Sequence, residues 1–143
     1  MTVGGGGGDD RQGTGRGTAD TFALMATVIR VAPIFPVRDI SASLAHYRQL
    51  GFVTREYDGG AYGYATRDGI EIHLGVVSDV PSSATKHSAY LWVDDADAVA
   101  EEWRSAGVEV HMPEDTEWGQ HEGALVDPDG NVLRFGSPMG RSR

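Results

Sequence analysis

An internal repeat restricts the possible folds of this chain more than any other feature. The segment VRDISASLAHYRQLGFVT, which begins at Val37, aligns without gaps on VDDADAVAEEWRSAGVEV, which begins at Val93. The matching positions pair Asp39 with Asp95, Tyr47 with Trp103, Arg48 with Arg104 and Gly51 with Gly107. Self-similarity at one fixed spacing is typical of a duplicated structural unit. The alignment therefore predicts two copies of one module.

Each copy predicts an amphipathic helix between strands. Asp39 and Asp95 can cap a helix start, and Gly51 and Gly107 can adopt the left-handed conformation that ends one. The apolar stripes comprise Ile40, Leu44 and Tyr47 in the first helix and Ala96, Val99, Trp103 and Ala106 in the second. Alternation and turn sequences predict strands at 28–37, 53–57, 62–67, 70–76, 87–93, 108–112, 123–126 and 131–135. The expected class is α+β, with two tandem β-α-β-β-β modules.

Strand alternation sorts the side chains onto two faces. The face expected to pack under the helices carries Ile29, Val31, Pro33, Phe35, Val37, Ala89, Leu91 and Val93. The other face includes Glu71, His73, Ser88, Tyr90, Trp92 and Arg134. Exposed Tyr90 and Trp92 are unfavourable in water unless a ligand or a second subunit covers them. Alternatively, both rings pack on a loop of their own domain.

Composition limits the class of protein. With 143 residues, 40% of them hydrophobic, the chain can form one modest core. No apolar run approaches the roughly 20 residues that span a bilayer, so no membrane insertion is expected. A net charge of −9 argues against nucleic-acid binding and favours cationic ligands. The absence of cysteine leaves His and carboxylates as the good metal ligands.

The N-terminal stretch MTVGGGGGDDRQGTGRGTADTFAL is Gly-rich and has no apolar periodicity. It predicts a disordered tail over residues 1–27, followed by a folded domain at 28–137 and a short tail at 138–143. The stretch lacks the apolar run of a signal peptide, so a cytoplasmic location is expected. Met25 leads directly into the first predicted strand, and we expect it to be the natural start.

Two motifs within this framework resemble a known superfamily. They are V-x-D…Y-x-x-L-G-F at Val37–Phe52 and WGQHEGALVDPDGNVLRF at Trp118–Phe135. With the paired modules, they resemble the vicinal oxygen chelate superfamily, which includes glyoxalase I, extradiol dioxygenases, fosfomycin-resistance enzymes and bleomycin-resistance proteins. The resemblance implies a concave mixed-sheet cleft. It does not imply one activity, since this scaffold carries both metalloenzymes and metal-free drug binders.

The resemblance also indicates where metal ligands would stand. The corresponding positions hold Ala32, Ser88, Arg134, and Glu71 or His73. A divalent metal needs about three protein ligands, and a guanidinium cannot coordinate one. We therefore expect no metal and no other cofactor. The remaining candidate ligands are His73, Glu71 and His87, the last brought into the cleft by a bulge.

Glu71, His73 and Arg134 admit two interpretations. On a shared cleft face, a His beside a Glu can be tuned for proton transfer. Alternatively, Glu71 and Arg134 form an ion pair with His73 as a hydrogen-bonding spacer. No nucleophile or oxyanion arrangement accompanies them, which favours the structural interpretation, and no catalytic residue is assigned.

Other features resemble the metal-free bleomycin-resistance proteins: Pro33 in the first strand, the aromatics of AYLWV, and Trp118 with Gly119 ahead of the DPDGN turn. Those proteins sequester a cationic, aromatic-tailed glycopeptide in clefts shared by two subunits. The resemblance implies a homodimer whose aromatic residues stack on flat rings and whose acidic residues attract the cationic tail. The expected stacking residues are Tyr90, Trp92 and Trp118, and the expected acidic ones are Glu56, Asp115, Glu117 and Glu122.

Three functions remain open. The favoured one is a metal-independent binder of a bleomycin-type antibiotic that acts by sequestration. The second is a divalent-metal-dependent enzyme of the same superfamily, of glyoxalase, dioxygenase or thiol-transferase type. The third is a non-catalytic protein-interaction module. The predicted ligand-binding residues are Glu71, His73, Tyr90, Trp92, Trp118, Glu122 and Arg134.

Structural roles are expected for four further residues. Tyr47 and Trp103 are predicted to be buried under the sheets. Asp127 and Asn131 of the DPDGN turn are predicted to bond backbone groups. His121 is expected in a loop at the cleft rim, beside Glu122.

Overall fold

The computed structural model describes residues 25–77 and 87–140. Within them, the strands and helices are β1 Ile34–Val37, α1 Ile40–Gln49, β2 Val53–Glu56, β3 Tyr62–Arg67, β4 Ile70–Val76, β5 Ser88–Trp92, α2 Ala96–Ser105, β6 His111–Asp115, β7 Gln120–Val126 and β8 Val132–Pro138. The order β-α-β-β-β occurs twice, which confirms the predicted α+β class and the two tandem modules. Neither of these helices is long and apolar enough to cross a membrane.

Two compact units divide the chain between Val31 and Ala32. The described part of the first unit, residues 25–31, contains no helix or strand. Both modules belong to the second unit. The tail predicted at 1–27 lies outside the described residues up to residue 24, and the C-terminal tail does so from residue 141.

Each module forms its own four-stranded mixed sheet. The strand orders are β1-β4-β3-β2 and β5-β8-β7-β6. In each sheet the first strand runs parallel to the last, and the remaining neighbours are antiparallel. The register places Ile34 beside His73 in the first sheet and Tyr90 beside Arg134 in the second.

The predicted helix boundaries are confirmed by the caps. The Asp39 carboxylate accepts the Ala42 amide at 3.2 Å, and the Asp95 carboxylate accepts the Ala98 amide at 3.0 Å. After each helix, Gly51 and Gly107 have φ of 86° and 92°, in the left-handed region that glycine adopts without a steric cost. Ala106, expected in the apolar stripe, is instead the exposed C-cap residue, whereas Ala100 is buried.

One hydrophobic core joins the two modules. Each helix packs on its own sheet, and the buried side chains of both modules form a single cluster. Trp103 of α2, which is 1% exposed, donates its indole N–H to the Leu50 carbonyl of the first module at 2.9 Å. Tyr47 of α1 is fully buried, and its hydroxyl donates to the Asp127 carboxylate of the second module at 3.0 Å. The predicted burial of both rings is confirmed.

The DPDGN turn also links the modules. Asp127 accepts the backbone amides of Asp129 and Asn131, each at 2.8 Å, and Asn131 donates to the Pro36 carbonyl at 3.1 Å. The predicted backbone bonding by Asp127 and Asn131 is confirmed. Arg38 adds an ion pair to Asp129 at 3.1 Å.

Several strand boundaries differ from the prediction, most of all at the start of the first strand. The first strand begins at Ile34 rather than residue 28, because Pro33 has no amide hydrogen to extend the ladder. Ile29, Val31 and Pro33 are therefore not core residues of a strand. The sixth strand spans 111–115 rather than 108–112, with a register shift between His111 and Glu114. The seventh strand begins at Gln120, so His121 and Glu122 lie in a strand and not in a loop.

Candidate functional site

The candidate site residues lie on the sheet faces that point away from the helices. In the first sheet, the alternate residues Phe35, Ala65, Ile72 and Leu74 are buried in the core. Their strand neighbours therefore point to the opposite face, where Glu71 and His73 are half-buried. In the second sheet, burial of Gly123, Leu133 and Phe135 assigns Tyr90, Glu122 and Arg134 to the corresponding face.

The first face, named here the Tyr–His face, consists of Tyr62, Tyr64, Glu71 and His73. The Tyr62 hydroxyl lies 2.8 Å from His73 Nδ1, and His73 Nε2 lies 3.0 Å from the Glu71 carboxylate. The Tyr64 ring meets the His73 ring edge-on at 4.8 Å. The Arg55 guanidinium carbon lies 4.2 Å from the centre of the Tyr64 ring, a cation–π contact.

Sequence reasoning missed Tyr62, Tyr64 and Arg55. The alternation of YGYATR contains the signal for the two tyrosines, since Gly63 and Ala65 are small and buried while Tyr62 and Tyr64 share the other side. Their pairing with Gly75 and His73 depends on the β3–β4 register, which one sequence does not reveal.

The second face, named here the Tyr–Trp face, consists of Tyr90, Trp92, Glu122 and Arg134. The Tyr90 and Trp92 rings lie 4.6 Å apart at an angle of 53°, and Trp92 is 75% exposed. Tyr90 lies over Gly136, where any side chain would collide with its hydroxyl.

Burial is the main cause that raises the pKa of Tyr90 to about 12, and the neighbouring Glu122 carboxylate adds to it. The two groups do not reach full hydrogen-bond geometry, and the buried Tyr90 hydroxyl has no partner among the described residues. Tyr90 is therefore a neutral phenol near neutral pH, with a hydroxyl available for a further bond.

Trp118 lies in the turn between β6 and β7. Its indole is 68% exposed. The turn is closed by Thr116, whose hydroxyl donates to the Gln120 carbonyl at 2.9 Å and accepts the Gln120 amide at 3.1 Å. The large exposed ring thus stands on an ordered turn at the end of the second sheet.

Of the predicted network of Glu71, His73 and Arg134, the structure shows the contact between Glu71 and His73. Glu71 bonds to His73 in the first sheet, whereas Arg134 lies in the second sheet beside Tyr90. The structure brings the seven predicted ligand residues together in two groups, with Trp118 on a separate turn.

His121 is not at the rim of either face. Its ring nitrogens bond Asp97 of α2 and Asp115 of β6, each at 2.8 Å. The bond to Asp97, together with Asp115, raises the pKa of His121. This histidine therefore acts as a clamp between the second helix and the edge of its sheet.

The candidate metal ligands do not form a cluster. Glu71 and His73 are adjacent, but His87 lies exposed just before β5 in the other module. Within residues 25–77 and 87–140, no three His, Cys, Asp or Glu side chains are arranged to hold a metal ion. The donor set on the described part of the chain does not fit a divalent metal centre.

A cavity of about 420 Å³ lies beside Trp92 at the junction of the two modules. Ile70 and Trp92 contribute apolar walls, and the polar lining comes from Arg67, Asp68 and Asp94. Arg67 is already engaged, since it forms an ion pair with Glu102 at 2.8 Å. Asp68 also pairs with the Arg67 guanidinium, at 3.4 Å, and the exposed Asp94 adds a further negative charge, which favours a ligand with an apolar body and a positive group.

The duplicated α+β fold, with one aromatic face on each sheet, defines a class of two-module proteins built on the vicinal oxygen chelate scaffold. Residues 27–135 match the sequence family described as the Glyoxalase/Bleomycin resistance protein/Dioxygenase superfamily, and this chain belongs to it.

Three individual relatives are similar to this chain over most of their own length. A bleomycin resistance protein from Klebsiella pneumoniae is 30% identical over 114 residues, which cover 74% of this chain and 90% of the relative. The crystal structure of a bleomycin-binding protein complexed with bleomycin matches with a TM-score of 0.70 at 28% identity, covering 77% of this chain and 98% of that one. A bleomycin-binding protein from Streptomyces verticillus, complexed with copper(II)-bleomycin, matches with a TM-score of 0.68 at 25% identity, covering 79% and 98%.

Proposed function

We propose that this protein binds a bleomycin-type antibiotic and protects by sequestration rather than by turnover. The observation that carries the proposal is the 30% identity to a bleomycin resistance protein over 90% of that relative's length. A ligand of this type combines flat aromatic rings with a cationic tail. The following features of the chain support binding of each part.

The Tyr–Trp face supports stacking. Trp92 is 75% exposed and stands against Tyr90, so its indole is available to a planar ring. Aromatic pairs add about 0.5–1.5 kcal/mol beyond the area that they bury. Trp118, at 68% exposure, offers a second indole. Both indoles are costly to leave in water, and a stacked ligand removes that cost.

The negative charge supports attraction of the cationic tail. The chain carries a net charge of −9, and Glu122 lies on the Tyr–Trp face itself. Glu56 and Glu117 are exposed carboxylates. Asp115 is bound to His121, so its charge is partly neutralised and it contributes less than expected from the sequence.

We further propose that binding needs no metal of the protein's own and that the chain forms a homodimer. The first point is supported by Ala32, Ser88 and Arg134, which replace ligands at the superfamily's metal positions. The second is supported by the placement of the two faces on different sheets, because a partner's Tyr–His face would then cover the exposed Trp92 of the first chain. A monomeric mass in light scattering at micromolar concentration would contradict the dimer.

Tryptophan fluorescence tests where the antibiotic binds. The chain has three tryptophans, and Trp103 is buried, so Trp92 and Trp118 are the reporters. We expect saturable quenching by bleomycin in the wild type and a loss of affinity of roughly ten-fold in Trp92→Ala. The control is Met112→Ala, which truncates a 39% exposed apolar residue on the edge strand β6. Equal affinity of the wild type, Trp92→Ala and Trp118→Ala would refute the assignment of these faces.

A further inference from the structure

Three side chains on the Tyr–His face form a continuous hydrogen-bonded chain. Glu71 lies 3.0 Å from His73 Nε2, and His73 Nδ1 lies 2.8 Å from the Tyr62 hydroxyl. Glu71 and His73 are two residues apart on β4, and their side chains are 22% and 20% exposed. Tyr62 is half-buried on the neighbouring strand β3.

The chemistry of the three groups sets the direction of both hydrogen bonds. An ionised carboxylate can only accept, so His73 must carry its proton on Nε2 and donate to Glu71. In the neutral imidazole the other nitrogen, Nδ1, is then an acceptor. The Tyr62 hydroxyl must therefore donate its single proton to Nδ1. Its oxygen keeps only lone pairs for any further partner.

We propose that Tyr62 is a specificity-determining residue whose acceptor-only oxygen binds an N–H donor of the ligand, such as an amine or a guanidinium. Glu71 and His73 act through Tyr62 as positioning residues. This inference rests on the proposed function, since it specifies which ligand groups the Tyr–His face accepts. It also explains why the partly buried Glu71 and His73 accompany two tyrosines on this face.

The surrounding rings hold the chain of bonds in place. Tyr64 meets the Tyr62 ring at 5.5 Å and the His73 ring at 4.8 Å, both edge-on. On the other side, a Cβ at Gly75 would lie 3.4 Å from the Tyr62 ring, so the ring rests directly on the backbone. Packing from both sides restricts rotation of Tyr62 and His73, and a preorganised acceptor loses less entropy on binding.

The tautomer of His73 tests the direction of the bonds without any ligand. In mildly alkaline buffer, ¹⁵N NMR is expected to show the proton of His73 on Nε2 in the wild type and in Tyr62→Phe. In Glu71→Lys, an ammonium donor replaces the carboxylate, and the proton is expected to move to Nδ1. A wild-type proton on Nδ1 would overturn the proposal, because Tyr62 would then accept from His73 and direct its own proton outward.

Two simple cations test the selectivity of Tyr62. Methylguanidinium carries N–H donors, whereas tetramethylammonium has the same charge and none. We expect saturable shifts of the His73 ring signals with methylguanidinium, at least about five-fold weaker binding in Tyr62→Phe, and little response to tetramethylammonium. Equal responses to the two cations, or no response to either, would overturn the proposal. The antibiotic titration is separate, so its result judges the proposed function independently.

Discussion

Replacing Tyr47 with phenylalanine is expected to weaken the joint between the two modules. Asp127 is 4% exposed, and its carboxylate accepts four hydrogen bonds at distances from 2.8 to 3.0 Å. The Tyr47 hydroxyl supplies one of them, and burial together with Asp127 raises the pKa of Tyr47. Tyr47→Phe keeps the ring in the core and removes only this bond.

The magnitude follows from the nature of the acceptor. Hydrogen bonds to charged groups contribute about 1.5–3 kcal/mol, and a buried acceptor that loses its donor cannot turn to water. Three donors remain on Asp127, so we expect the lower part of this range, about 2 kcal/mol off the free energy of unfolding.

Equilibrium unfolding in urea measures this loss. The matched control is Tyr57→Phe, since Tyr57 is 55% exposed, and its change is expected to stay within about 0.5 kcal/mol. A change of less than about 0.5 kcal/mol in Tyr47→Phe would contradict the account of this joint.

Further predictions concern the second module. Gly136→Ala places a methyl group against the Tyr90 hydroxyl, and we expect about 1–3 kcal/mol of destabilisation with an altered Tyr90 signal in near-ultraviolet circular dichroism. Unchanged stability and spectrum would show that Tyr90 does not rest on Gly136. The pKa of His121 is raised in the folded protein. The bonds of protonated His121 to Asp97 and Asp115 therefore stabilise the fold fully below the ordinary histidine pKa, near 6.5, and this stabilisation is lost as the pH rises through the raised pKa. The stability deficit of His121→Gln is therefore expected to be largest in mildly acidic buffer and to shrink in alkaline buffer. A stability deficit of His121→Gln that grows with pH would contradict this prediction.

Local chemistry made the duplicated helices predictable. Asp39 and Asp95 cap them, and Gly51 and Gly107 end them, because these roles depend on neighbours a few residues away. The burial of Tyr47 and Trp103 followed from their place on apolar stripes. The sequence also shows Pro33, which has no amide hydrogen to donate to a strand ladder. The strand prediction gave more weight to the apolar residues around it, and it therefore began the first strand too early.

The site was less predictable, because it depends on which strands are neighbours. Tyr62 and Tyr64 can be recognised as site residues only when β3 is known to pair with β4, because this pairing places them beside Gly75 and His73. Arg134 was assigned to the right face of its strand, but its partners could not be predicted, since alternation gives no information on how the two sheets are oriented. His121 could not be assigned to Asp97 and Asp115, because helix, edge strand and β7 meet only in the folded module.

The central claim is that this protein holds an antibiotic without changing it. The most direct test is calorimetric titration of chelator-treated protein with metal-free and copper-loaded bleomycin, followed by mass spectrometry of the antibiotic released on unfolding. The account predicts tight binding of about one antibiotic per chain, unaffected by chelator, and recovery of the antibiotic with its mass unchanged. No binding heat with either form, or recovery of a modified antibiotic, would contradict it.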